Sequence, residues 1–140
     1  MVKFVLYNKE MNIQLIDIPK IENTLGNIAY IENDGVPFNV KRVYYLYDIP
    51  SYAKRGGHSH KELLQVLIAI SGSFDVILKD GKTQQTITLN KPDKGLLINN
   101  NTCRELENFS SGAVCLVLAS EIFNEDDYIR DYDDFLKSIE

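Results

Sequence analysis

The chain of 140 residues is long enough for one domain with its own core, and its 44% hydrophobic and 25% charged residues are typical of a globular protein, not of a disordered or fibrous one. A formal net charge of −5 argues against a general nucleic-acid binder, which needs a basic surface. Two cysteines, Cys103 and Cys115, are too few for a disulfide framework or a four-cysteine zinc site. Charge interrupts the first ten residues and the apolar runs have strand length, so we expect a cytoplasmic, reduced protein without a signal peptide or membrane contact.

Short apolar runs, rich in Val, Ile, Leu, Tyr and Phe and separated by turn residues, predict that most of the chain forms strands. Asp80-Gly81 lies between two alternating runs and is a strong hairpin signal, because glycine tolerates the positive φ of the tightest turns. We expect strands at Met11–Ile18, Asn27–Ile31, Val40–Tyr47, Ala53–His60, Leu63–Ile70, Ser73–Lys79, Gln84–Leu89, Gly95–Ile98, Cys103–Leu106 and Ala113–Ala119.

The stretch from Glu125 to Ile139 predicts a helix, because its apolar residues follow the spacing of a helical stripe. Asn124 is a candidate N-cap for it. Many short strands followed by one helix predict an all-β fold, in which a single domain over residues 1–140 forms a β-sandwich or barrel with a C-terminal α-helix.

The predicted strand Leu63–Ile70 is apolar on both faces, since neighbouring residues of a strand point to opposite sides. Such a strand is either internal to a sandwich or covered by another subunit. A homodimer is therefore one expectation.

The chain contains two histidines, His58 and His60, whose spacing places both imidazoles on one face of a strand. Together with Gln65 and Gly72 they match the spacing of the first cupin motif. Gln65 occupies the position of the usual acidic ligand, however, and two imidazoles with an amide make a poor transition-metal site. We therefore expect no bound metal. Neutral imidazoles are well suited to proton transfer, although such a pair also occurs as ordinary surface or core residues.

Three segments carry a family resemblance: Gly35–Asp48, Arg55–Lys61 with Gln65 following, and Phe109–Ser120 with Asp127–Tyr132. On these segments the chain resembles the sugar-nucleotide 3,4-ketoisomerases, metal-independent cupin-like proteins that act on dTDP-4-keto-6-deoxy-D-glucose. Two departures are Ser59, where the family usually has alanine, and Cys103, where it commonly has tryptophan.

The resemblance implies a cupin-like jelly-roll fold and an isomerase that needs no cofactor. The implied reaction moves the ketone of dTDP-4-keto-6-deoxy-D-glucose from C4 to C3 through an enediolate, giving a dTDP-3-keto-6-deoxyhexose. The resemblance assigns the proton transfers to His58 and His60, and we favour His58 as the base at C3. The resemblance also implies that this product is used to make a 3-amino-3,6-dideoxy sugar for a surface polysaccharide.

Four further side chains are candidates for substrate binding. A diphosphate calls for guanidinium groups, and Arg42 and Arg55 lie near the expected pocket, with Arg104 and Arg130 as weaker candidates. Tyr44 shares a strand face with Arg42 and offers a ring to the nucleobase. Gln65 is placed to hold a sugar hydroxyl or to orient a histidine. The alternatives are surface ion pairs for the arginines and a core or dimer-interface position for the tyrosine.

Three other functions are compatible with parts of this pattern. A sugar-nucleotide epimerase on the same scaffold needs an acid beside the base, and a tyrosine could supply it. A non-catalytic sugar-nucleotide-binding module would not need both histidines. A metal-dependent cupin oxygenase is opposed by the missing ligands.

Overall fold

The computed structural model describes residues 2, 4–8, 13–32 and 34–140. Its strands are β1 (Phe4–Asn8), β2 (Ile13–Asp17), β3 (Lys20–Ile21), β4 (Ile28–Ala29), β5 (Arg42–Leu46), β6 (Arg55–His60), β7 (Gln65–Ser71), β8 (Phe74–Lys79), β9 (Gln84–Leu89), β10 (Lys94–Ile98), β11 (Cys103–Glu107), β12 (Val114–Ala119) and β13 (Tyr128–Ile129). The helix α1 is Tyr132–Ser138.

The strands form two antiparallel sheets and a short hairpin. A six-stranded sheet has the order β1-β2-β10-β7-β12-β5, a five-stranded sheet has the order β13-β6-β11-β8-β9, and β3 pairs with β4. Apolar side chains from the two larger sheets meet in one buried cluster, which makes the fold a β-sandwich. The predicted all-β architecture with a C-terminal helix is confirmed.

The position of β7 in the fold explains why its sequence is apolar on both faces. Leu67 and Ala69 lie in the cluster between the sheets, while Val66 and Ile68 lie in a second buried cluster on the outer face, together with Val36 from outside the strands. The strand is therefore internal, between β10 and β12. Its two apolar faces need no second subunit to cover them.

The predicted helix from Glu125 to Ile139 is wrong in its first half. Glu125–Asp127 form a 3-10 turn capped by Asn124, and Tyr128–Ile129 form β13. β13 pairs with β6, so backbone hydrogen bonds to another strand replace the local bonds of a helix. The helix α1 starts after Asp131, whose side chain accepts a hydrogen bond from the backbone N–H of Asp134.

The predicted strands are present, with some ends displaced. The structure adds β1 and the two-residue strands β3 and β13, which were not predicted. The strand expected at Ala53–His60 begins at Arg55, because Ala53 closes a turn by donating to the carbonyl of Pro50. Met11 and Asn12, at the start of the first predicted strand, lie outside the described residues.

The connection between β7 and β8 depends on Gly72, which has a φ of +66°. An added Cβ would lie 2.4 Å from Ser110 Oγ and 2.9 Å from Ala113 Cα. We expect Gly72→Ala to lower the free energy of unfolding by about 2–4 kcal/mol, since a positive φ and a steric overlap add. Chemical denaturation followed by circular dichroism measures this loss.

Gly112 provides the matched control, because its φ of +74° is similar but an added Cβ would meet nothing within 4 Å. Gly112→Ala should therefore cost only the backbone term, about 1–2 kcal/mol. Equal losses for the two variants would show that the overlap at Gly72 is relieved without cost.

Candidate active site

The site lies between the two sheets, where inward-facing apolar side chains give way to polar ones. Along β7 the inward positions run from Ala69 and Leu67 to Gln65, and along β11 they run from Leu106 to Arg104. Both polar residues are buried: Gln65 is 0% and Arg104 is 4% exposed. The hydrophobic core therefore ends in a buried polar layer, which is an unusual place for a guanidinium.

His58 and His60 stand side by side at the end of β6. Their ring centroids are 4.9 Å apart with the rings nearly perpendicular, so the prediction that they share one face is confirmed. His58 is partly buried and lines a cavity of about 340 Å³, whereas His60 is 3% exposed and lies behind it. The two imidazoles have different access to a ligand.

Tyr128 completes an aromatic group with the two histidines. Tyr128 lies on β13 and pairs with His60 of β6. Its ring centroid lies 5.0 Å from that of His58 and 4.3 Å from that of His60. Tyr128 also lines the 340 Å³ cavity. The sequence prediction missed this residue because it placed Tyr128 on a helix.

A β-bulge in β6 brings Arg55 to the same cavity. Arg104 pairs with His58, but Leu106 pairs with Arg55, so β6 contains one residue more than β11 over this interval. Gly56 takes up the bulge with a φ of +79°, which favours glycine. The extra residue turns Arg55 to the face of His58 although the two are three positions apart, and both line the cavity.

Arg104 connects the histidines to the opposite sheet. Its Nη2 lies 3.3 Å from His58 Nε2 and donates to the hydroxyl of Tyr44 at 3.3 Å. The same hydroxyl accepts from Gln65 Nε2 at 2.7 Å. Since a guanidinium only donates, Nε2 of His58 is an acceptor and carries no proton.

Tyr44 lines the cavity beside Arg42, and its hydroxyl belongs to this hydrogen-bond network. Its hydroxyl is occupied by Gln65 and Arg104, and the guanidinium of Arg42 lies 5.0 Å from its ring centroid. Tyr44 therefore forms the floor of the cavity and positions polar groups. Gln65 bonds to Tyr44, and its Oε1 is buried without a hydrogen-bond partner.

Arg42 lies between two cavities. It lines the 340 Å³ cavity and a neighbouring one of about 600 Å³ formed with Lys61, Phe123 and Asp127. Its Nε and Nη2 are buried and have no hydrogen-bond partner, and the same is true of Nε and Nη1 of Arg104. Buried donors of this kind are expected where a ligand supplies the acceptors.

Arg130 has the role of an ion-pair partner that the sequence favoured, but on a different element. It lies between β13 and α1, and its Nε and Nη2 donate to the two carboxylate oxygens of Glu125 at 2.8 and 2.9 Å. Its guanidinium lies 4.5 Å from the ring centroid of Tyr128 and lines the cavity beside His58. It contributes positive potential to the site.

Burial and positive charge keep both imidazoles neutral. Desolvation, then Arg104, His60 and Arg130, lower the pKa of His58 to about 3. Desolvation and Arg104 lower the pKa of His60 to about 4, while Asp127 acts in the opposite direction. Both groups are thus in the form that accepts a proton at physiological pH.

Two other features bear on the sequence predictions. Among residues 2, 4–8, 13–32 and 34–140, no group of three or more His, Cys, Asp or Glu side chains is placed to hold a metal ion. In the same part of the chain, no helix is long and apolar enough to cross a membrane.

The structure brings together His58, His60, Arg42, Tyr44 and Gln65, and it places Arg55 at the exposed rim of the same cavity. Arg104, a weaker candidate from the sequence, and Tyr128, which was not a candidate, also line this cavity. Arg104 had one usable signal, since it lies two residues before the inward-facing Leu106 on the same strand.

The family comparisons agree with this geometry. A family model described as FdtA, WxcM-like, C-terminal, matches residues 11–140. A TDP-4-oxo-6-deoxy-alpha-D-glucose-3,4-oxoisomerase from Aneurinibacillus thermoaerophilus is 45% identical over 130 residues, which cover 92% of this chain and 94% of the relative.

Two solved structures are similar over almost the whole chain. The WlaRB TDP-quinovose 3,4-ketoisomerase from Campylobacter jejuni is 48% identical with a TM-score of 0.85, covering 90% of this chain and 98% of its own. A mutant of the 3,4-ketoisomerase QdtA from Thermoanaerobacterium thermosaccharolyticum, in complex with TDP-4-keto-6-deoxyglucose, is 41% identical with a TM-score of 0.89, covering 96% and 95%. The resemblance inferred from the sequence is confirmed, and the chain belongs to the FdtA family of cupin-like sugar-nucleotide 3,4-ketoisomerases.

Proposed function

We propose that the chain converts dTDP-4-keto-6-deoxy-D-glucose to a dTDP-3-keto-6-deoxyhexose by proton transfer between C3 and C4. One observation carries this proposal: two neutral imidazoles lie 4.9 Å apart, and one of them lines a cavity with Arg42, Arg55, Arg104 and Arg130. The imidazoles supply a base and a proton carrier. The guanidiniums supply the charge that a diphosphate and an enediolate require.

His58 is the better placed of the two histidines to act as the base at C3, because it reaches the cavity. Removal of the C3 proton leaves the electron pair in a C3=C4 double bond and negative charge on the C4 oxygen. The C3 hydroxyl then gives up its proton, while C4 and its oxygen each gain one. The product is a C3 ketone with a C4 hydroxyl, and no electron leaves the substrate.

Arg104 is placed to stabilise the enediolate. Its guanidinium lies beside the unprotonated Nε2 of His58, so an oxygen next to the C3 proton would lie near both groups. A buried cation acts more strongly on such a charge than a solvated one.

The substrate itself should bring the imidazoles into their working range. A base with a pKa of about 3 binds a proton weakly, and the guanidiniums are one cause of that low value. A bound diphosphate neutralises part of their charge, and the pKa of His58 then rises toward neutrality. Arg42, with two buried unpartnered donors, and Arg55, at the rim, are the candidate diphosphate ligands. The proposed reaction only moves protons, so it needs no cofactor.

We place the reaction in the cytoplasm, because Cys103 and Cys115 are both buried free thiols, as is typical of proteins in reducing compartments. A 3-keto sugar nucleotide is a substrate for transamination. Transamination of this product would give a 3-amino-3,6-dideoxy sugar, which would then be built into a surface polysaccharide.

The direct test incubates the purified protein with dTDP-4-keto-6-deoxy-D-glucose in D2O containing EDTA and follows the sugar by NMR. We expect a 3-keto product with deuterium at C4, because the imidazole that delivers the proton exchanges with solvent. His58→Asn and His60→Asn should each lose at least about 100-fold in turnover and retain dTDP binding.

Other outcomes identify the competing functions. An epimerase would incorporate deuterium without moving the ketone, and a binding module would leave the sugar unchanged. Activity abolished by EDTA, or wild-type rates in both histidine variants, would overturn the proposal.

The pH dependence follows from the lowered pKa values. A group whose pKa is lowered stays neutral until the pH falls to the new value, so the free protein keeps its base down to about pH 5. We expect kcat/KM to be constant between pH 8 and about pH 5, and the acid limb of kcat to lie at higher pH, since bound substrate raises the pKa of His58. An acid limb of kcat/KM near the usual histidine pKa of about 6.5 would contradict this.

The expectation of a homodimer now depends on β5 instead of β7. β5 is an edge strand of the six-stranded sheet, and its outward side chains Val43 and Tyr45 are 55% and 60% exposed. Beside them lie Tyr47, which is 61% exposed, and Leu116, which belongs to the outer apolar cluster. An exposed apolar edge strand pairs well with its own copy, because a two-fold axis matches the surface to itself. We propose a homodimer through this face.

We expect the wild-type protein to sediment as a dimer of 16.0 kDa chains at micromolar concentration, and Tyr45→Glu to sediment as a monomer, since a charge would be buried at the interface. Tyr52→Glu is the control, because Tyr52 is 87% exposed and lies outside β5. A monomeric wild-type protein would contradict the proposed homodimer. A dimeric Tyr45→Glu variant would show that the dimer interface lies on another face.

A further inference from the structure

The carboxylate of Asp127 is held rigidly beside His60. Its Oδ1 accepts from the backbone N–H of Glu62 at 2.9 Å, and its Oδ2 accepts from the backbone N–H of Leu63 at 3.2 Å. Oδ2 also lies 3.5 Å from Nδ1 of His60. The side chains of His60 and Asp127 are 3% and 14% exposed, so the contact is shielded from water.

Strand pairing fixes Asp127 in this place. The next residue, Tyr128, pairs with His60, and the backbone N–H of Lys61 donates to the carbonyl of Asp127 at 3.2 Å. The 3-10 turn before β13 therefore delivers the carboxylate to Nδ1 of His60 whenever β13 is paired with β6.

We propose that Asp127 is a positioning residue that fixes His60 as the tautomer with a proton on Nδ1 and a free lone pair on Nε2. This inference rests on the proposed isomerase function of the same site. His60 does not line the cavity, so its Nε2 accepts a proton that the sugar has released to His58, giving an imidazolium whose Nδ1–H points to the carboxylate. His60 then returns that proton by way of His58 to C4 or an oxygen. Proton and charge balance within the two histidines, and Asp127 stays ionised throughout.

The electrostatic surroundings show why a carboxylate is needed there. His60 faces Arg104 from β11, Arg42 from β5 and the imidazole of His58 on its own strand. The two arginines and burial all oppose a positive charge on His60, and Asp127 is the group that favours one. Without the carboxylate, the imidazolium would be an uncompensated buried charge. A contact of 3.5 Å is long for a hydrogen bond, and catalytic hydrogen bonds of this kind shorten when substrate binds.

A purely structural role is the competing explanation, because Asp127 also ties down the backbone of Glu62 and Leu63. The nitrogen chemical shifts of His60 separate the two roles, since they report which ring nitrogen carries the proton. The chain has two histidines, so 15N-labelled protein gives a simple imidazole spectrum that His58→Asn assigns.

Asp127→Asn is the informative variant. Asparagine keeps one oxygen to accept from Glu62, but its NH2 group replaces Oδ2 and donates toward Nδ1 of His60. We expect wild-type His60 to be protonated on Nδ1, and the variant to shift toward the tautomer protonated on Nε2. We expect kcat to fall at least about tenfold while KM changes less than about threefold.

Asp133→Asn is the matched control, because Asp133 is an exposed acid in the first turn of α1, away from the cavity. It should change neither the His60 spectrum nor kcat. Wild-type His60 protonated on Nε2, or an unchanged kcat in Asp127→Asn, would overturn the inference. The wild-type spectrum, once assigned with His58→Asn, requires no substrate, so an absence of isomerase activity would count against the proposed function alone.

Discussion

The buried guanidinium of Arg104 determines what the two histidines can do. It lies at the end of the hydrophobic core, 4% exposed, and touches both His58 and the hydroxyl of Tyr44. Its charge and the surrounding burial together keep the imidazoles neutral. A cation in this position is costly unless an anion compensates it, and two of its donors have no partner. In the proposed reaction, the negative charge of the enediolate compensates this guanidinium, so the buried cation favours the reacting form of the sugar.

The sandwich architecture delivers these groups through the alternation of its strands. Gln65 and Leu67 face inward on β7, as do Arg104 and Leu106 on β11, so one strand face supplies first the core and then the site. Each polar side chain is thereby anchored by packed apolar neighbours two residues away. The bulge at Gly56 is the one break in this alternation near the site, and it adds Arg55 to the cavity. Rigid placement of this kind keeps reacting groups aligned at little entropic cost.

Much of this site could be predicted from local sequence patterns. The alternation of Arg42 and Tyr44, and the spacing of His58 and His60, depend only on the two-residue period of a strand, and both are as predicted. The apolar residues on both faces of β7 predicted that the strand is either internal or covered by another subunit, and it is internal.

What could not be predicted depends on pairing between distant segments. Tyr128 fits a helical stripe in the sequence, and it becomes a strand residue because β6 offers it backbone partners. Arg104 is one charged residue in a mixed strand until its register opposite His58 is known. Asp127 is one acid among several until the turn before β13 places it against His60. In each case the decisive contact joins residues more than 40 positions apart, or follows from such a pairing.

Burial and neighbouring guanidiniums keep the two imidazoles of the site neutral and control their proton affinity. An NMR titration of the two histidine Cε1–H signals tests it most directly, first in the free protein and then with saturating dTDP. We expect no histidine titration between pH 8 and about pH 5 in the free protein, and an upward shift of the His58 pKa when the nucleotide binds. A histidine that titrates near pH 6.5 in the free protein, unchanged by dTDP, would contradict it.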